Sequence, residues 1–440
     1  MHRRVMEDLL AWKSSPNRLP LILRGARQVG KTWLMKEFGK SRYEECAYIN
    51  LEGNQQMRML FEPDLDVSRI LAGLRLESGC RIEPEKTLVI LDEVQEIPGA
   101  LTSLKYFQEN LPQYHIMAAG SMLGVALHPG TSFPVGKVDF YDLHPLDFFE
   151  FIQAMGKGDL VDLMQRGDWR MASTFRNRLS ELLKQYFFLG GMPEVVAAFA
   201  EGRDFGNARK IQKRILSSYE QDFSKHAPNE TVPRIRMLWE SMPSQLSRGN
   251  RKFVYGLVRQ GARAREYELA MTWLHDCGLV RKVNRVTKPG LPLRAYEDAG
   301  AFKLFLSDVG LLGAMAELDA KTLLDGDRIF EEFKGALTEQ YVLQQLLSHG
   351  EMQVFYWSSE RGTSELDFLV QAKGAFVPIE VKAAENLKSK SMKIFKDKYS
   401  PKTCIRTSMS DFRDEGWLIN IPLYGIGAFH LTVEKLSLKT

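Results

Sequence analysis

The sequence predicts an α/β protein of several domains, with a parallel sheet first, a helical middle and a second mixed α/β region towards the end. Three observations predict it. Apolar runs at 19–23, 47–51, 88–91 and 116–119 alternate with helix-length segments, the pattern of a parallel sheet covered by helices. From about 159 to 226 the period becomes helical, with Leu179, Leu182, Leu183, Tyr186 and Phe187 spaced for one buried face. The chain has 440 residues, well beyond the ~250–300 at which one hydrophobic core stops growing.

Composition excludes several classes. With 44% hydrophobic, 10% aromatic and 26% charged residues, the chain is neither disordered, collagenous nor a coiled coil. Its apolar runs fall far short of the ~18–20 residues that cross a bilayer, so no membrane partner is expected. Arg3 and Arg4 are followed by Glu7 and Asp8 rather than an apolar leader, which predicts a cytoplasmic protein. Cys46, Cys80, Cys277 and Cys404 are too far apart for a metal knuckle or disulfide framework, and the eight histidines form no HxxxH or HxH pair. The net charge of +4 conceals regional differences. Basic and acidic residues number 17 and 20 in 1–150, 27 and 20 in 151–325, and 15 and 15 in 326–440.

The first strand runs into Gly25, Ala26, Arg27, Gln28, Val29, Gly30, Lys31 and Thr32, which satisfies GxxxxGK[ST] in its required place between a strand and a helix opened by Trp33. Glycines let the backbone curl around phosphate, and the amides and helix N-terminus supply donors. Lys31 reaches the β and γ phosphates, and Thr32 is a Mg²⁺ ligand. ATP and Mg²⁺ are therefore the expected ligands. The buried strand at 88–91 ends in Asp92 and Glu93. Asp92 suits the metal, and Glu93 is placed to orient or deprotonate the attacking water. The strand at 115–119 ends in Gly120 and Ser121; Ser121 either touches the γ-phosphate or merely opens a loop.

These motifs, with Leu143, His144, Pro145, Leu146, Phe148, Phe149, Glu150 and Phe151, and with the YFFLGGMP segment at 186–193, resemble a bacterial and archaeal ATP-binding family. That family joins an AAA-type P-loop ATPase to a C-terminal domain of unknown function. Gln221 to His226 (QDFSKH) and Phe302 to Leu312 (FKLFLSDVGLL) resemble its second half. The resemblance implies a helical lid in which Gly191 and Pro193 lie near the adenine, although a helix stop at the glycines explains them equally. It also implies a homo-oligomer in which a neighbour's arginine completes the site, with Arg170, Arg176 and Arg178 as candidates.

Residues 248–294 hold eleven Lys or Arg against Glu266, Glu268 and Asp276, with Phe253, Tyr255, Tyr267 and Trp273 interspersed. Helical spacing of Leu269, Trp273 and Leu274, followed by a basic strand at 280–286, suits a winged helix, as the resemblance also implies. Two uses are open for this surface: contact with DNA phosphates, or packing on an acidic partner domain.

Towards the end, strands at 365–370 and 377–382 are joined by a turn at Lys373 and Gly374. Glu380 and Lys382 share one face, with Asp367 opposite. Two carboxylates and an ammonium so placed suit a Mg²⁺- or Mn²⁺-dependent phosphodiesterase, and the set resembles the PD-(D/E)xK nuclease core. Glu339, on an upstream helix, is a further metal candidate. Glu332 with Lys334 is a chance copy of the ExK spacing, and Lys388, Lys390, Lys393, Lys396 and Lys398 form a run that faces either solvent or a phosphate backbone. The expected organisation is an ATPase core (1–155), helical lid (156–228), winged helix (229–320) and nuclease-like domain (321–440). The chain then either hydrolyses ATP and acts on DNA, or is a nucleotide-gated switch whose nuclease-like fold does not cut.

Overall fold

The computed structural model describes residues 1–120, 134, 136–247, 252–320, 334–350, 352–359, 364–372, 374–383 and 389–437. The chain forms two compact units. The first comprises residues 3–144 with 276–278, and the second comprises 1–2, 145–275 and 279–440.

In the first unit the elements are α1 (Val5–Ser14), β1 (Leu21–Arg24), α2 (Lys31–Arg42), β2 (Glu45–Asn50), α3 (Gln55–Phe61), α4 (Val67–Ser78), β3 (Thr87–Asp92), α5 (Pro98–Asn110), β4 (His115–Ala119) and β5 (Asp139–Asp142). The five strands are all parallel, in the order β2-β3-β4-β1-β5. Every residue of β3 and β4 is buried, as strands covered on both faces require. Ile22, Val89, Leu91, Ile116 and Ala118 pack with Ile70, Leu74, Leu104 and Phe107. Caps fix the helix ends. The Asp66 carboxylate accepts the amides of Ser68 and Arg69, and Gly79, in the left-handed region, stops α4. Strand β5 has no counterpart among the predicted runs, because its four residues begin and end in aspartate and lie mostly exposed at the sheet edge.

The second unit begins with α6 (Phe148–Ala154), α7 (Gly158–Arg166), α8 (Trp169–Thr174), α9 (Arg176–Leu189), α10 (Pro193–Gly202) and α11 (Phe205–His226). Then come α12 (Val232–Ser247), α13 (Tyr255–Val258), α14 (Ala264–Asp276), β6 (Val280–Val286), β7 (Glu297–Leu306) and α15 (Val309–Met315). The remainder is α16 (Lys334–Leu347), β8 (Val354–Ser358), β9 (Glu365–Ala372), β10 (Ala375–Val381), α17 (Lys390–Tyr399), β11 (Cys404–Ser408), β12 (Arg413–Asp414), β13 (Leu418–Pro422) and α18 (Phe429–Ser437).

One sheet of order β12-β13-β11-β10-β9-β8-β6-β7 runs through this unit, because β6 pairs with β8 at Arg285 and Val286. The β6–β7 hairpin and the later strands thus share a sheet. Its far edge turns inward: the Phe305 ring on β7 lies 5.9 Å from Phe368 on β9. On α14 the buried stripe is Tyr267, Ala270, Met271 and Leu274, with Trp273 against Phe223 of α11 at 5.5 Å. Leu269, expected on that face, is 74% exposed, since a helix turned to bury Tyr267 and Ala270 carries the residue between them outward.

A buried polar network holds the YFFLGGMP segment. Tyr186 donates to the Leu146 carbonyl (2.5 Å), and the Gly191 carbonyl accepts the Leu146 amide (2.7 Å). Asp308 accepts the amides of Gly191 (2.6 Å) and Leu311 (2.9 Å) and the Gln344 side chain (3.2 Å). A Cβ on Gly191 would fall 2.0 Å from the Leu146 oxygen, so the backbone approach itself demands glycine.

Candidate active site

The phosphate loop is shaped by two close fits. Gly25 (φ 141°) leaves so little room that a Cβ there would meet the Leu143 carbonyl at 2.3 Å, and Gly30 (φ 94°) turns the chain into α2. Ala26 and Val29 are buried and anchor the loop, while Gly25, Arg27, Gln28, Gly30 and Thr32 are half-buried and Trp33 is exposed. Gln28 also takes a positive φ, 68°, without being glycine. Arg3 clamps the loop from outside it, donating to the carbonyls of Val29 (3.4 Å) and His144 (2.7 Å).

Lys31 is 7% exposed and its Nζ donates to the Gly25 and Ala26 carbonyls at 2.8 and 2.9 Å. Burial lowers its pKa to about 8, against the pull of Glu93 and Asp92. An ammonium held this way inside a curl of backbone is matched to an anion of high charge. Asp92, at the tip of β3, is buried with both oxygens engaged. Thr32 Oγ1 donates to Oδ2 at 2.7 Å, Tyr48 donates to the same oxygen at 3.0 Å, and the Glu93 amide donates to Oδ1 at 3.1 Å. Thr32 and Asp92 thus lie side by side, as a shared Mg²⁺ needs, and with Lys31 they fit a metal–triphosphate ligand.

Glu93 adopts a left-handed φ of 52°, which turns it off the strand axis, and its Oε2 accepts from Gln95 Nε2 at 2.7 Å. Gln95 is itself buried, and its Oε1 has no partner among the described residues. Strand β4 lies between β1 and β3, so the loop and the Asp92–Glu93 tip rise from strands two places apart in the sheet, and the first turn of α2 brings Thr32 across to Asp92. Ser121 lies outside the described residues. Arg3, Tyr48 and Gln95 were missed by sequence reading, since no motif contains them; only the polar tip of β2 and a Gln two places after the acid hinted at them.

Residues 17–152 match a family described as AAA domain, residues 180–322 a Domain of unknown function (DUF8612), and residues 334–424 a further Domain of unknown function (DUF4143). The five-stranded parallel sheet is that of an AAA-type P-loop domain. Among solved structures, the chain is similar to the Orc1 protein of Aeropyrum pernix in complex with DNA, at 17% identity and TM-score 0.26, over 72% of this chain and 91% of that one. It is also similar to Cdc6p from Pyrobaculum aerophilum, at 12% identity and TM-score 0.24, over 73% and 92%. No curated protein matches the sequence. Among the described residues, no helix is long and apolar enough to cross a membrane.

The second unit contains the other predicted residues. Gly191 is buried against Leu146 and Asp308, and Pro193 opens α10. Arg176 pairs with Asp411 at 3.8 Å, while Arg170 and Arg178 are exposed. Hairpin β9–β10 brings Asp367 and Glu380 together: Asp367 Oδ2 accepts the Val381 amide (2.7 Å), and Lys382 Nζ lies 2.8 Å from Glu380 Oε1. Glu339, on α16, is engaged by Lys303 at 3.3 Å, and Lys303 also meets Glu365 at 2.6 Å.

Burial pushes the Asp367 carboxyl up, with Lys303 opposing and Glu380 and Glu365 adding to the rise. Burial lowers Lys303, but Glu339, Glu365 and Asp367 together outweigh it and hold the ammonium charged. These residues do not fit a divalent metal. Among the described residues no group of three or more His, Cys, Asp or Glu is arranged to hold one, and the cluster already encloses a cation. Lys390, Lys393, Lys396 and Lys398 lie on α17, Lys396 over the Trp417 ring at 4.5 Å; Lys388, Lys373 and Glu332 lie outside the described residues.

Proposed function

We propose that this chain binds and hydrolyses ATP. The observation that carries the reading is the arrangement of Lys31, Thr32, Asp92 and Glu93 across the β1 and β3 tips, an ammonium beneath the phosphate loop and two acids facing it. Loop amides and Lys31 bind and orient the triphosphate, and Lys31 offsets charge that grows on it as the terminal bond breaks. Glu93 orients a water for attack and takes its proton once Gln95 releases or shares the carboxylate. Mg²⁺ held at Thr32 and Asp92 would supply further charge neutralisation on the phosphates. A phosphate-release assay on the full chain tests this: Mg²⁺-dependent turnover is expected, and none above a no-protein blank overturns it.

A DNA-contacting role is favoured by the placement of the basic middle. Helices α12, α13 and α14 followed by the β6–β7 hairpin succeed one another in the order of a winged helix, and Lys252, Arg259, Arg263, Arg265, Lys288 and Arg294 are exposed around them. Arg285 is instead neutralised by Asp298. Contacts of this kind are salt-dependent and indifferent to sequence. Arg263→Glu with Arg265→Glu is expected to weaken duplex binding by about tenfold or more and to flatten its salt dependence. Fluorescence anisotropy at two salt concentrations measures it, and unchanged binding ends the DNA reading.

A further inference from the structure

Lys303 belongs to no motif of the ATPase or of the ExK set, yet its charge is wholly enclosed. Its side chain is fully buried on β7. Nζ lies 2.6 Å from Glu365 Oε1, 3.3 Å from Glu339 Oε2 and 5.2 Å from the Tyr356 ring centre. Asp367 acts on it through space. A lone buried ammonium is not tolerated, and neither is a buried group of carboxylates without a cation. Each accounts for the other here.

Across the hairpin, Glu380 gives one oxygen to Lys382, while its other oxygen, Oε2, is buried and has no partner among the described residues. Glu380 lies close enough to Asp367 for the two charges to act on each other. The cluster therefore retains one acceptor that none of the described residues uses.

We propose that the Lys303 ammonium is the resident cation of this cluster, standing in for a divalent metal, and that it prevents Glu339, Asp367 and Glu380 from assembling a metal-dependent phosphodiesterase centre. A divalent ion of the Mg²⁺, Mn²⁺ or Ca²⁺ type takes several oxygen ligands at about 2.0–2.6 Å. Lys303 engages oxygens of Glu339 and Glu365, and its charge repels a second cation. Pairing of β7 with β6 at Lys303 and Val283 fixes the backbone that carries the ammonium, so it is part of the sheet rather than a mobile plug. In place, it ties the β6–β7 hairpin to α16 and β9. Once it is removed, Glu339, Glu365, Asp367 and Glu380 would have to draw together about an ion of the Mn²⁺ class to offset their buried charge. The inference is independent of ATP hydrolysis, because none of these residues belongs to the phosphate-loop site.

The probe is Mn²⁺ alone, titrated into the full chain without nucleotide, with the free ion followed by electron paramagnetic resonance. Asp92→Asn is present in every protein to remove the acid beside Thr32. The parent is expected to show no Mn²⁺ site that Asp367→Asn removes. Lys303→Met is expected to gain one site, at least about tenfold tighter than any binding by the parent, the scale on which neighbouring groups tune metal affinity, and Asp367→Asn is expected to abolish it. Lys303→Met with Glu365→Gln removes one charge of each sign, so it keeps the burial balanced and is expected to gain a weaker site. The proposal is overturned if the parent binds Mn²⁺ in an Asp367-dependent way, or if a folded Lys303 variant, checked by circular dichroism, gains no site. Should Lys303→Met alone not fold, the paired variant and the parent titration decide the matter.

Discussion

Glu93→Gln is expected to lower ATP turnover by roughly 10²- to 10³-fold while leaving ATP bound, the range lost when a positioned base is removed. Glutamine is nearly the same size and can keep a hydrogen bond with Gln95, so the loop and Asp92 stay in place. What is lost is the negative charge that polarises water. ATP should therefore be trapped, with binding changed by only a few-fold. Lys31→Ala separates the two steps. It removes the ammonium from the carbonyls of Gly25 and Ala26 and the charge that phosphate needs, so binding and turnover both fail. Equilibrium binding beside single-turnover phosphate release measures the split. Normal turnover in Glu93→Gln would remove Glu93 from the chemistry.

Asp308→Ala is expected to destabilise the second unit by roughly 3–6 kcal/mol, because buried donors left without an acceptor cost about 1–3 kcal/mol each. Several donors converge on this carboxylate, among them the amides of Gly191 and Leu311 and the side chain of Gln344. Burial pushes its pKa up, while those hydrogen bonds pull it back down. The effect reaches further than one residue. Gln344 also donates to Tyr186 (2.8 Å), whose hydroxyl holds Leu146, so the anchors of α9, α15 and α16 loosen together. In urea denaturation the midpoint should fall by about 1 M or more, and Asp308→Asn, which keeps one acceptor, should lose less. An unchanged midpoint for Asp308→Ala would show that the network contributes little.

The phosphate site was legible where the chemistry is local. GxxxxGK[ST] requires a strand, a tight loop and a helix in succession, and the apolar run ending in Asp92 and Glu93 announces its own tip. The groups that hold these residues were not legible. Arg3 is 26 positions from Val29, and Tyr48 is 44 positions from Asp92. Both meet their partners only because β2 lies beside β3 and the chain's start returns to the loop. At the far end, the ExK pattern drew attention to Asp367 and Glu380, and the nuclease resemblance to Glu339. No rule of spacing pointed to Lys303, which reads as one more basic residue in an apolar strand.

By itself, then, the sequence determined the nature of the nucleotide loop, the parallel sheet beneath it and the basic middle, because backbone curl, strand burial and charge count are properties of neighbouring residues. Tertiary structure alone decided two matters. It set β1 and β3 two places apart in one sheet, where Thr32 meets Asp92, and it folded the edge of the second sheet inward until Lys303 met Glu339 and Glu365. Electrostatic energy depends on distance in space and on exclusion of water, and chain order fixes neither.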